Sequence, residues 1–300
     1  MKIGTFYFGY LKPEICHESS NIHLKNYYMF QIGNKFDIDY KKGWIPFKKV
    51  SGLAYFNKSS AYFISDNINI LNTSFSNTTL AINDVKNTEL WIKGELNGPF
   101  NDLLKYSNIA SLTKVDKEKI SNIKGNAETD LKIKISSNDS GNFYESKIKL
   151  NKVSYNLDKN NKLNDINGNI FYKNKKFYTE ENKFINAKYN KINIKFKLNT
   201  DKKGNFLVTG NQKIKIDNYI KNKNFKNNIS GSSIWEYNIK IPGFNNNKSE
   251  IFIKARSDLL GILVSLPKPF NKIKDKKSNI IIKTSLKNNN FRDINIIYNG

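Results

Sequence analysis

The chain has 300 residues, which is enough for two ordinary globular domains or for one long sheet. Only 38% of the residues are hydrophobic, while Tyr and Phe occur 16 and 20 times, so the apolar surface comes in large units that suit thin, two-faced sheets better than a thick core. The single cysteine, Cys16, excludes an internal disulfide, and no run approaches the roughly 20 apolar residues of a membrane-spanning helix.

The formal charge of +24 raises nucleic acid, another polyanion or an anionic membrane as a partner. A second explanation is compositional, because Lys, Asn and Ile have AT-rich codons and accumulate in AT-rich genomes without selection for binding. Lys is spread through every segment and no compact Arg-rich patch appears, which favours the compositional explanation. No nucleic acid partner is therefore expected.

Alternation of apolar and polar residues predicts strands along most of the chain, because successive side chains of a strand point to opposite faces. The clearest runs begin at Leu131, Ile192, Ile214 and Ile251, and a looser one begins at Ile280. Clusters of Asn, Asp, Gly and Lys separate these runs, as is typical of hairpin turns. The predicted sheet therefore has one apolar face and one face of mostly Lys and Asn.

Helix is scarce in the prediction. Short helices are expected over 101–107 and 113–120, and a single helical turn over 217–222. The N-terminus lacks the apolar region and cleavage site of a signal peptide, and residues 295–300 stop within a strand pattern. We expect residues 1–300 to form a single elongated segment of a larger protein, with any internal break near 113–120.

A sheet with one apolar face must bury it by pairing with another sheet, by closing on itself or by holding something apolar. Roughly twenty short strands about 4.8 Å apart would give an open ladder about 100 Å long. The predicted fold class is all-β: an elongated, twisted antiparallel sheet that forms an open apolar groove, with a few short helices.

No constellation of residues predicts catalysis. Cys16, His17, Glu18 and His23 form the only cluster of metal-ligand types, but the cluster lacks the second thiolate and the paired spacings of zinc sites. The carboxylate pairs Asp37/Asp39 and Glu180/Glu181 suggest solvated charge rather than a pocket, and there is no phosphate-binding glycine loop. We therefore predict no enzyme activity, no catalytic residue, no metal and no cofactor.

Three ordered stretches carry a resemblance to a known family. The first reads Gly43-Trp44-Ile-Pro46-Phe47, and the second reads Gly98-Pro-Phe-Asn-Asp102-Leu-Leu-Lys-Tyr106. The third runs over 229–272, from an Ile-x-Gly-x-Ser-x-Trp strand through Ser-Asp-Leu-x-Gly to Leu-Pro-x-Pro-Phe-x-Lys. Its motif residues are Gly231, Trp235, Ser257, Asp258, Leu259, Gly261, Leu266, Pro267, Pro269 and Lys272. In this order the stretches resemble the YhdP branch of the AsmA-like proteins, large envelope proteins of Gram-negative bacteria.

The resemblance implies an elongated β-groove in the periplasm that carries phospholipid between the inner and outer membranes and supports envelope integrity. It also implies attachment to the inner membrane through a segment that is not present in this chain. The implied partners are phospholipid acyl chains and the two membranes or their proteins. The apolar face predicted from alternation agrees with such a groove.

The predicted groove lining follows from the apolar positions of the alternating runs. The predicted lining residues are Ile133, Ile135, Ile194, Phe196, Ile214, Ile239, Ile253 and Ile282. Alternation does not fix which sheet face is inside at each strand. The alternative function is a basic, β-rich protein that binds nucleic acid or another polyanion, for which binding would weaken steeply with salt.

Overall fold

The computed structural model describes residues 6–9, 28–38, 45–56, 59–83, 89–109, 117–136, 142–156, 162–189, 192–218, 220, 227–243, 250–269, 271–287 and 290–299. The contacts divide the chain into two compact units, Met1–Lys175 and Lys176–Gly300, which we call the N-terminal and C-terminal units. Both units are built from antiparallel strands, so the predicted all-β antiparallel class is confirmed. The groove itself stays a prediction.

The N-terminal unit is a meander in which each strand pairs antiparallel with the next. Its strands are β1 (Phe6–Gly9), β2 (Tyr28–Ile38), β3 (Phe47–Phe56), β4 (Ala61–Ile70), β5 (Thr73–Ile82), β6 (Leu90–Pro99), β7 (Ile123–Ile135), β8 (Phe143–Asn156) and β9 (Lys162–Lys173). Two helices, α1 (Phe100–Ile109) and α2 (Lys117–Ser121), lie between β6 and β7.

The C-terminal unit has the same architecture, and its described residues form nine strands. They are β10 (Lys176–Tyr178), β11 (Ile185–Tyr189), β12 (Ile192–Thr200), β13 (Phe206–Lys215), β14 (Ile229–Ile241), β15 (Ile251–Ser257), β16 (Ile262–Val264), β17 (Asn279–Lys287) and β18 (Asn290–Asn299). Strands β11 to β15 pair in chain order, β15 pairs with β17, and β17 pairs with β18. The short β16 pairs with the first residues of β14, and its last residue, Val264, forms an isolated bridge with Lys272.

The predicted helix over 101–107 is confirmed, because it lies inside α1. A 3-10 turn, Ile216–Asn218, occupies the start of the turn predicted over 217–222. Of the stretch 113–120, residues 113–116 lie outside those described, and α2 begins at Lys117. A break at that stretch stays a prediction.

The core of the N-terminal unit lies where α1 packs against the sheet. Its fully buried members are Val50, Ile68, Ile70, Phe75 and Leu96. Leu103 and Tyr106 of α1 pack against this cluster, and the ring of Phe47 meets Phe75 edge-on at a centroid distance of 6.5 Å. The helix therefore covers one end of the apolar sheet face of this unit.

Asp102 fastens α1 to the turn between β4 and β5. It is 4% exposed, and its Oδ2 accepts hydrogen bonds from the side-chain amide of Asn72 at 2.9 Å and from the backbone N–H of Asn72 at 3.4 Å. Lys105 Nζ lies 3.0 Å from the other carboxylate oxygen. Burial acts to raise the pKa of Asp102, but the bonds from Lys105 and Asn72 outweigh it and hold that pKa below its usual value. The carboxylate is thus charged and fully engaged.

Removal of core volume at Ile70 tests this packing. Ile70 is 2% exposed, so Ile70→Ala is expected to lower the free energy of unfolding by about 2–5 kcal/mol, from lost burial plus the cavity left behind. The matched control is Ile64→Ala in the same strand, where the side chain is 36% exposed and a loss of about 1 kcal/mol or less is expected. Urea denaturation measures both; equal losses would contradict the assigned core.

Candidate functional site

The register of the C-terminal unit collects apolar side chains on one sheet face. Directly paired residues of antiparallel strands share a face. One row of consecutive partners crosses six strands and consists of Phe196, Gly210, Tyr237, Ala255, Ile282 and Ile296. A neighbouring row consists of Leu198, Val208, Ile239, Ile253 and Thr284. We call this surface the apolar face of the C-terminal unit.

The apolar face includes six of the predicted lining residues. They are Ile194, Phe196, Ile214, Ile239, Ile253 and Ile282, and all six are half-buried. The remaining two lie on β7 of the N-terminal unit, where Ile133 is paired with Ile92 and Ile135 with Leu90. Ile133 is 6% exposed and Ile135 is 39% exposed. Contact of these residues with a lipid stays a prediction.

The register also adds positions that were not singled out from the sequence. Those on the same face of the C-terminal unit include Ile192, Leu198, Val208, Tyr237, Ile241, Ile251 and Ile280. Their signal was present for all but Val208, since each of the others stands two residues from a predicted position in the same strand, whereas Val208 is six residues from Ile214. What the sequence lacked was the pairing that aligns one run with the next.

The apolar face of the C-terminal unit has no helix among the elements described for that unit beyond the 3-10 turn. Its side chains are mostly half-buried rather than buried, which is the exposure of a single-layer sheet. On the edge strand β18 the exposure rises further, to 60% for Ile296 and 49% for Tyr298. A continuous, partly exposed apolar surface of this kind is characteristic of a binding face.

The opposite face of the sheet carries most of the charged side chains in both units. In the N-terminal unit, cross-strand ion pairs join Lys149 to Glu128 at 2.8 Å and Lys173 to Glu145 at 3.2 Å. A depression of about 420 Å³ lies on this unit. Its lining residues are Asn77, Lys93, Gly94, Glu95, Asp130, Leu131, Lys132, Glu145, Ser146, Lys147 and Phe171. Charges of both signs alternate there, so the depression favours neither an anion nor a cation.

The motif residues between Ser257 and Lys272 build an insertion, residues 258–278, between β15 and β17. Its strand β16 pairs with the first residues of β14, so that Gly231 lies opposite Ile262. Gly231 and Gly261 approach so closely that a Cβ on Gly231 would collide with the backbone oxygen of Gly261. Gly231 also has a φ of 108°, a conformation that L side chains rarely adopt. Both the backbone conformation and the lack of space for a Cβ therefore require glycine at position 231.

Ser257 and Asp258 fasten the start of the insertion. Ser257 is 6% exposed; its hydroxyl donates to the backbone oxygen of Ile234 at 2.8 Å and accepts from the N–H of Leu259 at 3.1 Å. Asp258 Oδ1 accepts from the N–H of Leu260 at 3.1 Å, and its backbone oxygen accepts from the N–H of Ser278 at 2.8 Å. These bonds close the insertion at both ends.

The buried side chain of Lys272 donates hydrogen bonds to the backbone of the insertion. It is 3% exposed, and its Nζ donates to the backbone oxygens of Ile262 and Ile273, each at 3.0 Å. Burial lowers the pKa of Lys272, while the negative charges of Asp258 and Asp275 partly offset that effect. The lysine replaces water as the donor for two carbonyls, which is a structural role.

The remaining motif residues, Trp235, Leu266, Pro267 and Pro269, make no hydrogen bond within the described part of the chain that fastens the insertion. Trp235 lies on the apolar face beside Gln212, and its buried indole N–H has no hydrogen-bond partner among the described residues. Leu266 is half-buried, whereas Pro267 and Pro269 are exposed, and the Lys268–Pro269 peptide bond is cis. The motif therefore forms one framework around Gly231 and Lys272, and no cluster with catalytic geometry.

A protein-family model described as YhdP protein matches residues 33–298 of the chain. The chain belongs to the YhdP family. The resemblance predicted from motifs between 43 and 272 is thereby confirmed, and the YhdP match extends past those motifs in both directions. Neither the comparison with curated proteins nor the comparison with solved structures gave a match.

Two further observations concern only the described residues of this YhdP-family chain. They contain no group of three or more His, Cys, Asp or Glu side chains suited to a metal ion, and no helix with the length and hydropathy to cross a membrane. Cys16, His17, Glu18 and His23 lie outside the described residues, as do Gly43, Trp44 and Asp39. Asp37 pairs with Lys48 at 2.6 Å on the surface.

Substitution of Gly231 tests the close approach of β14 and the insertion. Gly231→Ala is expected to lower the free energy of unfolding by more than about 2 kcal/mol, because a positive φ and a backbone collision add. Gly204→Ala is the control, since Gly204 has a φ of 80° but nothing within 4 Å of an added Cβ; it should cost about 1–2 kcal/mol. A smaller loss at Gly231 than at Gly204 in chemical denaturation would refute the close approach.

Replacement of Lys272 by Met distinguishes the contribution of its ammonium group to stability from that of its aliphatic stem. Lys272→Met keeps the apolar stem but removes the donor to the backbone oxygens of Ile262 and Ile273, of which the first bond is buried and the second partly buried, so a loss of about 1–3 kcal/mol in unfolding free energy is expected. Lys274→Met, at an exposed position two residues away, should be close to neutral. If both variants melt like the parent in differential scanning calorimetry, Lys272 does not support the insertion.

Proposed function

We propose that this YhdP-family chain binds phospholipid acyl chains along its apolar sheet faces and conducts them between the inner and outer membranes. The observation that carries the proposal is the register of the C-terminal unit, which aligns apolar side chains of six strands on one face, half-buried on five of the strands and exposed on β18. Acyl chains laid on such a face lose contact with water, which contributes about 25 cal/mol for each Å² of apolar surface buried.

The proposed mechanism is passive, and no covalent bond forms or breaks. Aliphatic and aromatic side chains such as Ile194, Phe196 and Ile253 would contact the acyl chains through dispersion and burial alone. The lipid headgroup would stay at the margin of the face, where water and polar side chains are available. Because neighbouring rows are chemically alike, a chain can shift from row to row without meeting a large barrier.

The absence of an enzymatic role is part of the same proposal. Ser257 and Lys272 are the motif residues with chemistry closest to a nucleophile, and both are committed to backbone hydrogen bonds of the insertion. A periplasmic location beside the inner membrane is the setting that suits transport between the two membranes. The expected partners are phospholipids and the membranes or membrane proteins at either end.

Lipid retention tests the proposal. The protein is purified from a Gram-negative host without added lipid, extracted and analysed by mass spectrometry. Phospholipid is expected on the parent, and Ile194→Asp with Phe196→Asp should reduce it at least about tenfold, because two carboxylates on the apolar face oppose burial of an acyl chain. The control carries Asn193→Asp and Asn211→Asp, two exposed positions on the polar face of β12 and β13, and should retain lipid.

A photocrosslinking residue keeps the test decisive if the double aspartate variant folds poorly. In the purified protein, free of membranes, it should crosslink phospholipid when placed at Phe196 but not when placed at the polar-face position Asn193. A folded parent that carries no phospholipid, or equal crosslinking from both positions, would refute lipid binding on this face.

A further inference from the structure

The positive charge of the chain is concentrated in its C-terminal unit. The two units have 25 Lys and Arg residues each, but the C-terminal unit, although shorter, has only 9 of the 26 Asp and Glu residues. A uniform compositional bias towards Lys does not explain this difference, because the excess comes from depletion of carboxylates in one unit. Charge asymmetry between parts of a chain is a signal for an anionic partner.

The register places this charge on the sheet face opposite the apolar face. The cationic residues there are Lys188, Lys195, Lys197, Lys213, Lys215, Lys240, Lys254, Arg256 and Lys283. The only carboxylate that strands β11 to β17 contribute is that of Glu236, which pairs with Arg256 at 2.6 Å. We call this surface the basic face.

The cations of the basic face differ in whether a carboxylate lies beside them. Two of them have one: Asp201 Oδ2 lies 3.3 Å from Lys240 Nζ, and Asp217 Oδ2 lies 3.7 Å from Lys215 Nζ. By contrast, no carboxylate of the described residues forms an ion pair with Lys195, Lys213, Lys254 or Lys283. Their charge is available to an external anion.

Lys254 and Lys283 place two positive charges directly opposite each other. They are direct cross-strand partners on β15 and β17, and both are exposed. Like charges directly opposite each other destabilise a sheet pair, so this arrangement weakens the free fold. An anion that bridges the two ammonium groups would relieve the repulsion.

Large apolar side chains stand exposed among these lysines. Ile234 is 59% exposed and pairs with Lys213, and Phe252 is 52% exposed and pairs with Lys240. Basic residues interspersed with exposed Phe and Ile are typical of surfaces that bind the interface of an anionic membrane. The cations supply attraction to headgroup phosphates, and the apolar side chains enter the headgroup region.

We propose that the basic face of the C-terminal unit docks on an anionic phospholipid bilayer. The cations spread over six paired strands, β11 to β15 and β17, and so cover a width of about 24 Å, which matches a planar array of headgroups rather than a single ion. Phe252 is the one aromatic residue at a directly paired position of this face, so the stacking platforms that single-stranded nucleic acids use are scarce. This docking and lipid binding by the apolar face concern opposite faces, so each can fail without the other.

Vesicle flotation of the full chain tests the docking. Binding is expected to vesicles of phosphatidylcholine mixed with phosphatidylglycerol, to be weak for phosphatidylcholine alone, and to fall as salt rises. Lys283→Glu should weaken binding to the anionic vesicles at least about tenfold, because it replaces a cation with an anion in the Lys254–Lys283 pair of the basic face. The same substitution gives Lys254 an opposite charge, so the melting temperature should not fall.

Lys124→Glu is the matched control, an identical change of charge at an exposed strand position of the N-terminal unit. It should leave vesicle binding nearly unchanged. Equal weakening by both substitutions would show that net charge alone governs binding and would overturn the proposal. So would a parent that ignores anionic vesicles, or one that binds single-stranded DNA in preference to them.

Phe252→Ser separates insertion from charge. Loss of the exposed ring should weaken vesicle binding several-fold while leaving the salt dependence intact. An unchanged affinity would remove Phe252 from the docking surface and leave an attraction of purely electrostatic origin, contrary to the proposed mode of docking.

Discussion

Cross-strand register is the constraint on which both proposed surfaces depend. Side chains alternate with a period of two, so a slip of one residue in a single strand would move its isoleucines to the lysine side and its lysines to the apolar side. In the C-terminal unit the register holds without interruption from β11 through β15. The same register therefore produces both the apolar face and the basic face. A shift of register that disrupted one face would disrupt the other as well.

The framework around Gly231 secures that register at the end of β14. The N–H of Gly231 donates to the Asp217 carboxylate at 3.2 Å, and the N–H of Ser232 donates to the backbone oxygen of Gly261 at 3.3 Å. Val264 and Lys272 exchange two backbone hydrogen bonds that close the insertion on itself. Residues that look like a recognition motif in the sequence thus serve the geometry of the sheet, and the chemistry of binding is left to the repetitive strands.

Much of this structure could be predicted from alternation alone. The runs from Leu131, Ile192 and Ile251 indicated strands with one apolar face, and 101–107 indicated a helix. Alternation could not indicate that Lys254 meets Lys283 or that Phe196 meets Gly210, because pairing between strands depends on turn lengths and on the insertion before β17. Nor could it reveal the burial of Lys272, since a lysine in a polar segment is ordinarily solvated.

Pairing in chain order has a consequence for how the protein forms. From β11 to β15 every strand needs only its predecessor as a template, so contacts are local in sequence and the contact order is low. Such a meander can fold progressively as it emerges from a ribosome or a translocation channel, with each new hairpin closing on a finished edge. The insertion between β15 and β17 interrupts this progression, because 21 residues separate β17 from β15, the strand with which it pairs. Assembly of the C-terminal unit is thus expected to pause once, at the framework that Gly231 and Lys272 build.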